Sequence, residues 1–171
     1  MNETMTQLVQ RARAGDPEAF SRLYAEVWQD LYRYALFLLG SREDAEDMVQ
    51  ETVLAAYAGI GKLRDPALFR TWIFRILSNK CRRHRGTYLT RPGELKEDLP
   101  DPGGDFTEGV LLRASMEELS GEDRMIIGLH VFAGYTSREI GEILGMKSAT
   151  VRSREHRALE KLRRSEKGDR P

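Results

Sequence analysis

The chain has 171 residues, of which 40% are hydrophobic and only six are proline, so its length fits one ordinary domain or two small ones and its composition excludes global disorder. No apolar run approaches the roughly 20 residues that span a bilayer, and the N-terminus, MNETMTQLVQRARAGD, lacks the apolar core of a secretion signal, so we expect a cytoplasmic protein without membrane insertion. The formal net charge is zero, but residues 1–60 and 92–123 are acidic whereas residues 61–91 and 124–171 are basic.

Two helices are predicted before residue 41. The first runs from about Thr6 to Ala14, and Asp16-Pro17-Glu18 then supplies an N-cap, a first-turn proline and an acid that suits a helix N-terminus. The second helix extends to Gly40, and its apolar residues recur at helical spacing. We expect all of them in the core: Phe20, Leu23, Tyr24, Val27, Trp28, Leu31, Ala35 and Leu38.

A third helix, capped by Ser41, carries an acidic face. Its helical spacing turns the following side chains outward: Glu43, Asp44, Asp47, Gln50, Glu51 and Leu54. Such a face is usually only solvated. The apolar Leu54 among carboxylates is consistent with a second interpretation, in which a basic protein partner docks on this face.

The basic segment 61–91 contains a loop with Lys62 and Arg64, followed by a helix from Pro66 to about Arg85. The predicted buried side is Phe69, Trp72, Ile73, Ile76 and Leu77, and the predicted outward side is Thr71, Phe74, Arg75, Ser78, Arg82 and Arg85. An outward Phe74 in a basic stripe is typical of a surface for single-stranded nucleic acid, where cations hold the backbone and aromatic rings stack on bases. A single exposed phenylalanine without such a role is the alternative.

Residues 86–105 contain three prolines and four glycines without helical periodicity, which predicts a flexible linker between two domains. We therefore divide the chain into residues 1–86, a linker at 87–106, and residues 107–171. One hypothesis is that the acidic side chains of the linker shield the preceding basic face in the free protein, through weak contacts that salt dissolves. The alternatives are that they only keep the linker soluble and extended, or that they lie near nucleic-acid paths in the polymerase.

The C-terminal part predicts a helix-turn-helix. Ser120 caps a first helix, and Thr136 with Glu139 forms a capping box that opens a short second helix. Gly145 ends that helix, and Ser148 is placed to cap a longer one.

In this longer helix Val151, Ala158, Leu159 and Leu162 share one side and are expected to be buried. The opposite side carries Ala149, Ser153, His156, Arg157, Glu160 and Arg164, with Arg152 and Arg154 on the flanks. This layout favours a recognition helix in the DNA major groove. An amphipathic bundle helix with a solvated basic face is the alternative.

Catalytic, metal and cofactor sites are not expected. The single cysteine, Cys81, excludes an internal disulfide and suits a reducing compartment. His84, His130 and His156 have no partners at metal-ligand spacing. The sequence also contains no Gly-rich phosphate loop and no nucleophile with an adjacent base, so enzyme activity is not predicted.

Three segments, in order, resemble the extracytoplasmic-function branch of bacterial sigma factors: EDAEDMVQETVLAAY, FRTWIFRILSNKCRRHR and, beyond the linker, LSGEDRMIIGLHVFAGYTSREIGEILGMKSATVRSREHRALEKLR. The resemblance spans nearly the whole chain. It implies an all-α protein with two small helical domains, sigma regions 2 and 4. Such a protein binds core RNA polymerase, recognises the minus-10 and minus-35 promoter elements and directs transcription initiation. An anti-sigma factor is a further partner to consider.

The resemblance also implies roles for individual residues. Asp47, Gln50 and Glu51 match positions that bind the clamp helices of the largest polymerase subunit. The resemblance places Phe74, Asn79 and the loop with Lys62 and Arg64 at minus-10 DNA, and the outward basic side of the same helix adds Arg75, Ser78 and Arg82. Those expected at minus-35 DNA are Arg152, Ser153, Arg154, His156 and Arg157. Three departures from the family pattern are Ser120-Gly121, where Leu-Pro is usual, Gly141, where alanine is usual and the helix should be softened slightly, and Glu155, where the residue is usually apolar.

The competing interpretation is a stand-alone helix-turn-helix regulator that binds duplex DNA without polymerase. Association with core RNA polymerase distinguishes the two.

Overall fold

The computed structural model describes residues 2–84 and 118–166, and the regular structure in both ranges is entirely helical, which confirms the all-α prediction. In these ranges the α-helices are Met5–Arg13 (α1), Pro17–Leu39 (α2), Arg42–Gly59 (α3), Phe69–His84 (α4), Gly121–Ala133 (α5), Ser137–Leu144 (α6) and Ser148–Glu166 (α7). Short 3₁₀ turns at Ile60–Lys62 and Pro66–Leu68 connect α3 to α4.

Helices begin close to the predicted residues, and capping side chains accept backbone N–H groups there. Asp16 Oδ1 accepts the N–H of Glu18 at 3.0 Å ahead of α2. Thr136 and Glu139 form the predicted capping box, in which each backbone N–H donates to the other side chain, at 2.8 and 3.3 Å. Helix α7 begins at Ser148 itself, one residue earlier than a capping role for Ser148 requires.

Helices α1 to α4 form one group, the N-terminal bundle (residues 2–84), in which α2 packs on α1, α3 and α4. Its fully buried side chains include Leu23, Leu31, Phe69, Ile73 and Leu77. Each such residue contributes about 1.5–3 kcal/mol by leaving water. The core thus lies along α2, the longest helix of the bundle.

Helices α5 to α7 form the second group, the C-terminal group (residues 118–166), in which α7 packs on both α5 and α6. Ile126, Ile140, Val151 and Ala158 are buried between them. The inward side predicted for the longer helix is therefore confirmed for Val151 and Ala158, and for Leu162, which is also buried.

The two groups pack directly against each other, α5 on α2 and α6 on α4. At Gly128 the helices approach so closely that a Cβ would lie 3.0 Å from the rings of both Tyr34 and Phe37. A glycine inside a helix costs roughly 1 kcal/mol relative to alanine, and here it allows the close approach. The rings of Phe37 and Phe132 continue the contact, with centroids 5.1 Å apart.

The predicted linker, its acidic side chains and Arg85 lie outside the described residues. Within the part of the chain that the structure covers, no helix combines the length and apolar character needed to cross a membrane.

Candidate functional site

The predicted acidic face lies on the outer side of α3. Asp47, Gln50 and Glu51 are all exposed, and Leu54, one turn further on, is 70% exposed. Glu51 Oε2 lies 3.8 Å from Lys80 Nζ on α4, which makes a long ion pair. The face therefore combines carboxylates with an apolar side chain. It is complementary to a protein surface that is basic and has an apolar patch.

An aromatic depression of about 350 Å³ adjoins this face between α2 and α3, lined by Tyr24, Trp28, Tyr32, Glu46, Val49 and Gln50. Trp28 is 42% exposed, so the prediction that all apolar residues of α2 lie in the core is wrong for this one. The helical spacing could not show that Trp28 falls at the edge of the contact between α2 and α3. Because Gln50 belongs to both features, the acidic face and the depression form one continuous surface.

The polar residues of the predicted single-strand-binding face are spread over α4 and the loop before it. Lys62 and Arg64 are exposed in the loop, and Arg75 and Asn79 are exposed on α4. Arg82 is half-buried. The Arg75 guanidinium does not point freely into solvent, because its Nη2 donates to the backbone carbonyl of Glu142 on α6 at 2.5 Å.

The outward orientation predicted for Phe74 is wrong. Its side chain is fully buried, with its ring centroid 5.8 Å from that of Tyr34 and 5.3 Å from that of Tyr135, which it meets edge-on. Tyr135 lies between α5 and α6. Helical spacing assigns one buried side to a helix, whereas α4 is covered by the bundle on one side and by the C-terminal group on another.

The outward orientation predicted for Ser78 is also wrong. Its side chain is buried, and its Oγ lies 3.0 Å from Tyr34 Oη in a hydrogen bond between α4 and α2. In this arrangement the Ser78 hydroxyl is used inside the protein.

Arg70 is the residue of this region that the sequence analysis missed. Its Nη2 donates to Asp30 Oδ2 at 2.6 Å and, over a longer distance of 3.4 Å, to the carbonyl of Ala133 at the end of α5. Its guanidinium carbon lies 5.6 Å from the ring centroid of Phe74 and 5.7 Å from that of Tyr135, within cation–π range. The sequence did contain one indication of this contact: Arg70 and Phe74 are four residues apart, a spacing that brings two side chains together on a helix.

In the helix-turn-helix, the short helix α6 ends at the predicted residue. Gly145 ends α6 in the left-handed conformation, with φ of 70°, and Met146 N donates back to the Gly141 carbonyl at 2.9 Å. Four of the five predicted minus-35 residues are exposed on α7: Arg152, Ser153, His156 and Arg157. They form the accessible face of a helix whose other side packs on α5 and α6.

The fifth residue, Arg154, is engaged within the protein. It pairs with Glu122, and its Nε lies 3.1 Å from Asp123 Oδ1, both at the start of α5. The hydrogen bond to Glu122 is the main reason that the pKa of Arg154 is raised. Arg154 therefore ties α7 to α5 in this structure.

Glu155 has two partners in the C-terminal group. Ser137 Oγ donates to Glu155 Oε2 at 3.1 Å, and His130 Nδ1 lies 3.2 Å from Oε1. Glu155, in the middle of α7, thus contacts the last turn of α5 and the start of α6 through polar groups.

Comparisons with known proteins match both halves of the chain. Residues 23–87 match the family model of Sigma-70 region 2, and residues 115–164 match that of Sigma-70, region 4. The ECF RNA polymerase sigma factor SigL of Mycobacterium tuberculosis is 32% identical over 91% of this chain and 93% of its own.

Two solved structures share the fold. CnrH, in complex with the cytosolic domain of CnrY, is similar with a TM-score of 0.78 and 26% identity, over 98% of this chain and 100% of that one. The sigma factor RpoE of Bartonella quintana, in complex with the anti-sigma factor NepR, is similar with a TM-score of 0.71 and 25% identity, over 88% of this chain and 98% of that one.

Proposed function

Because the chain belongs to the sigma-70 family of RNA polymerase sigma factors, in the extracytoplasmic-function group, we propose that its three surfaces divide the work of promoter recognition. The face of α3 binds core RNA polymerase, α4 with the preceding loop binds the minus-10 strand, and α7 binds the minus-35 duplex. The observation that supports this best is the occurrence, in one chain, of an exposed carboxylate face on α3 and a capped helix-turn-helix with an exposed recognition face.

Core binding is assigned to Asp47, Gln50 and Glu51. The three side chains point away from the bundle, so they reach a partner without any rearrangement. The adjoining depression with Trp28 supplies apolar area beside these polar side chains, and protein interfaces commonly combine the two.

Binding of minus-35 DNA is assigned to Arg152, Ser153, His156 and Arg157. Their exposure on α7 leaves guanidinium, hydroxyl and imidazole groups available to base edges and phosphates. Arg154 is assigned a supporting role, because its ion pairs with α5 hold α7 in place.

Binding of the minus-10 strand is assigned to Lys62, Arg64, Phe74, Arg75, Asn79 and Arg82. The cations hold the backbone, and the phenyl ring of Phe74 stacks on or beside an unpaired base. Phe74 is buried by the C-terminal group, so this role requires that group to move. Ser78 contributes only if its bond with Tyr34 opens.

Three further parts of the proposal follow from the family. The protein has no catalytic activity of its own, it works in the cytoplasm beside core polymerase, and an anti-sigma factor binds it. Support for the last part comes from RpoE of Bartonella quintana, which was solved with an anti-sigma factor. A stand-alone regulator is not favoured, because it would leave the match of residues 23–87 to Sigma-70 region 2 without a role.

The test uses a charge-reversing change on α3. We expect Asp47→Lys to weaken binding to core RNA polymerase about tenfold or more and to abolish initiation at promoters mapped from transcript starts after overproduction. Asp47 is preferable to Glu51, because a lysine at position 51 would also repel Lys80. Co-purification with core polymerase and transcription in a purified system are the two measurements.

The matched control is Glu26→Lys, which makes the same charge change on an exposed residue of α2. By helical spacing Glu26 faces away from the depression that contains Trp28. Equal core binding by the Asp47→Lys and Glu26→Lys proteins would refute the assignment of the α3 face.

A further inference from the structure

Helix α1 packs beside the loop that precedes α4. It contacts α2 and also the two 3₁₀ turns of the connection between α3 and α4. The match to Sigma-70 region 2 begins at residue 23, so the family model does not include α1. The inward side chains of this helix are buried in the core: Leu8, Val9 and Ala12.

Leu63 divides the loop into an inner and an outer side. It is 6% exposed, whereas Lys62 and Arg64 on either side of it are exposed. Leu63 belongs to the same set of buried residues as the inward side chains of α1. Its backbone is extended, and in an extended segment successive side chains point to opposite sides. A Leu63 that is fixed in the core therefore turns both cations outward.

The loop is restrained at its ends and at Leu63 rather than along its whole length. Leu63 N donates to the Ile60 carbonyl at 3.1 Å, and Asp65 Oδ1 accepts the N–H of Ala67 at 3.0 Å. A Cβ added at Gly61 would meet no other atom within 4 Å, so packing does not restrain the loop there. The direction of the loop thus depends on the buried leucine and on the turns that α1 contacts.

Ion pairs place α1 on the first part of α2. Glu3 Oε2 lies 2.7 Å from Arg11 Nη1 and 2.8 Å from Arg22 Nη1, so one carboxylate joins the two helices. Arg11 Nε also donates to Asp16 Oδ2, the N-cap of α2, at 2.9 Å. Exposed ion pairs are individually weak, so this network orients α1, whereas burial of its apolar side holds it in place.

We propose that α1 and Leu63 position the loop for the minus-10 strand: Leu63 fixes the loop in the core, and α1 supports the two turns between which the loop lies. This inference rests on the proposed function, which assigns Lys62 and Arg64 to that strand. Leu63 is a positioning residue, because its side chain is buried and acts only through its two neighbours. Hydrogen-bond lengths vary by only about 0.5 Å, so a small shift of the loop changes which bases its cations accept.

The test compares three identical truncations in holoenzyme assembled from core RNA polymerase and the full chain. Leu63→Ala releases the loop, and Leu8→Ala weakens the packing of α1. Leu31→Ala is the matched control, because it removes the same atoms from a fully buried site of α2. Arg22 of α2 pairs with the residue that precedes α1, and Leu31 lies roughly 13 Å further along α2, away from α1.

Binding to a pool of random single-stranded DNA, about 20 nucleotides long, gives the affinity for the strand. Sequencing of the bound fraction gives the base preference at each position, and thermal unfolding of the free variants gives their stability. Binding is measured at a temperature at which all variants are folded. If an alanine variant does not fold, Leu63→Val, Leu8→Val and Leu31→Val repeat the comparison with the loss of one methylene group each.

We expect Leu63→Ala and Leu8→Ala to weaken strand binding about tenfold, the effect of losing one hydrogen bond to a charged group, and to flatten base preference at one or two adjacent positions. Leu31→Ala should lower the unfolding temperature without changing base preference. Unchanged affinity and preference in the Leu63→Ala holoenzyme would overturn the proposal, as would the same flattening in the Leu31→Ala holoenzyme. A Leu8→Ala holoenzyme that matches the wild type would overturn the role of α1.

A variant with both Lys62→Ala and Arg64→Ala separates this inference from the proposed function. If the loop does not bind the strand, this variant keeps the wild-type affinity and base preference, and the assignment of the loop to minus-10 DNA fails. If the double variant loses affinity or preference while Leu63→Ala and Leu8→Ala do not, the loop binds the strand and only the positioning inference fails.

Discussion

At the scale of single residues, Ser78 and Tyr34 form a buried polar pair between α4 and α2. Their hydroxyl oxygens are 3.0 Å apart, and neither side chain is exposed. Burial raises the pKa of Tyr34, so its phenol stays protonated and able to donate. A buried hydroxyl without its partner costs about 1–3 kcal/mol.

We therefore expect Ser78→Ala to lower the free energy of unfolding by about 1–3 kcal/mol, because it leaves Tyr34 Oη without its partner. Adding Tyr34→Phe should recover part of that loss, since the double variant has no unpaired hydroxyl. Urea unfolding of the wild type, the two single variants and the double variant measures the coupling energy between the two side chains. Strict additivity of the two changes would mean that the hydrogen bond does not stabilise the fold.

At the scale of elements, the turn between α6 and α7 explains why residue 141 is a glycine. A Cβ at this residue would lie 2.5 Å from the Met146 carbonyl oxygen, a backbone atom of the turn. Met146 N also donates to the Gly141 carbonyl, so the turn is fixed against this point of α6. In the sequence Gly141 stood out only as a departure from the family's usual alanine, whereas the packing of the turn leaves no room for a Cβ at this residue.

Gly141→Ala should consequently destabilise the protein by about 1–3 kcal/mol, since the clash with the turn outweighs the roughly 1 kcal/mol that alanine adds to helix propensity. Thermal unfolding is the measurement. Gly59→Ala is the control, because its Cβ would lie 3.5 Å from the Trp72 ring, an ordinary contact. A more stable Gly141→Ala protein would show that the turn shifts at little cost.

The arginines of α7 should separate into three roles. Arg157→Ala should weaken binding to the minus-35 duplex by about 1–3 kcal/mol and relax base preference at particular positions, whereas Arg152→Ala should weaken all sequences alike and reduce the salt dependence. Arg154→Ala should mainly lower stability, by about 1 kcal/mol, because Glu122 and Asp123 lose their partner. Binding of the three variants to a library of duplexes measures base preference and salt dependence, and thermal unfolding measures their stability.

Identical binding profiles for the Arg152→Ala and Arg157→Ala proteins would contradict the angular assignment. A stable Arg154→Ala protein with altered base preference would return Arg154 to the DNA-reading set.

At the scale of the whole molecule, one continuous set of buried residues runs through both helix groups. Phe37 with Phe132 and Phe74 with Tyr135 are the ring pairs that join them. Cys81, on α4, is fully buried in this core, and burial raises the pKa of its thiol to about 12. Its reactivity therefore reports on opening of the N-terminal bundle.

We expect Cys81 in the native protein to react with a thiol reagent at pH 8 at least about 100-fold more slowly than in urea-unfolded protein, because thiolate forms only when the residue leaves the core. Absorbance of the released chromophore gives both rates. Fast reaction of the native wild type would show that α4 is not stably packed.

The local features of this protein were determined by the sequence itself. Asp16, Ser120 and the pair Thr136 and Glu139 satisfy the free N–H groups at helix starts, which depends only on neighbouring residues. The exposed basic face of α7 and the exposed carboxylate face of α3 followed from helical spacing, because each of these helices has one side turned to solvent.

The surroundings of α4 were decided only by the tertiary structure. Phe74 and Ser78 lie where helical spacing expects solvent, yet both are buried, because α4 is covered on a second side by residues distant along the chain. The same holds for Gly128, Arg70 and Arg154, whose partners belong to other helices far away along the chain. Periodicity specifies which side of a helix is apolar. Which distant element covers the other sides depends on how the two helix groups meet, and no local pattern encodes that.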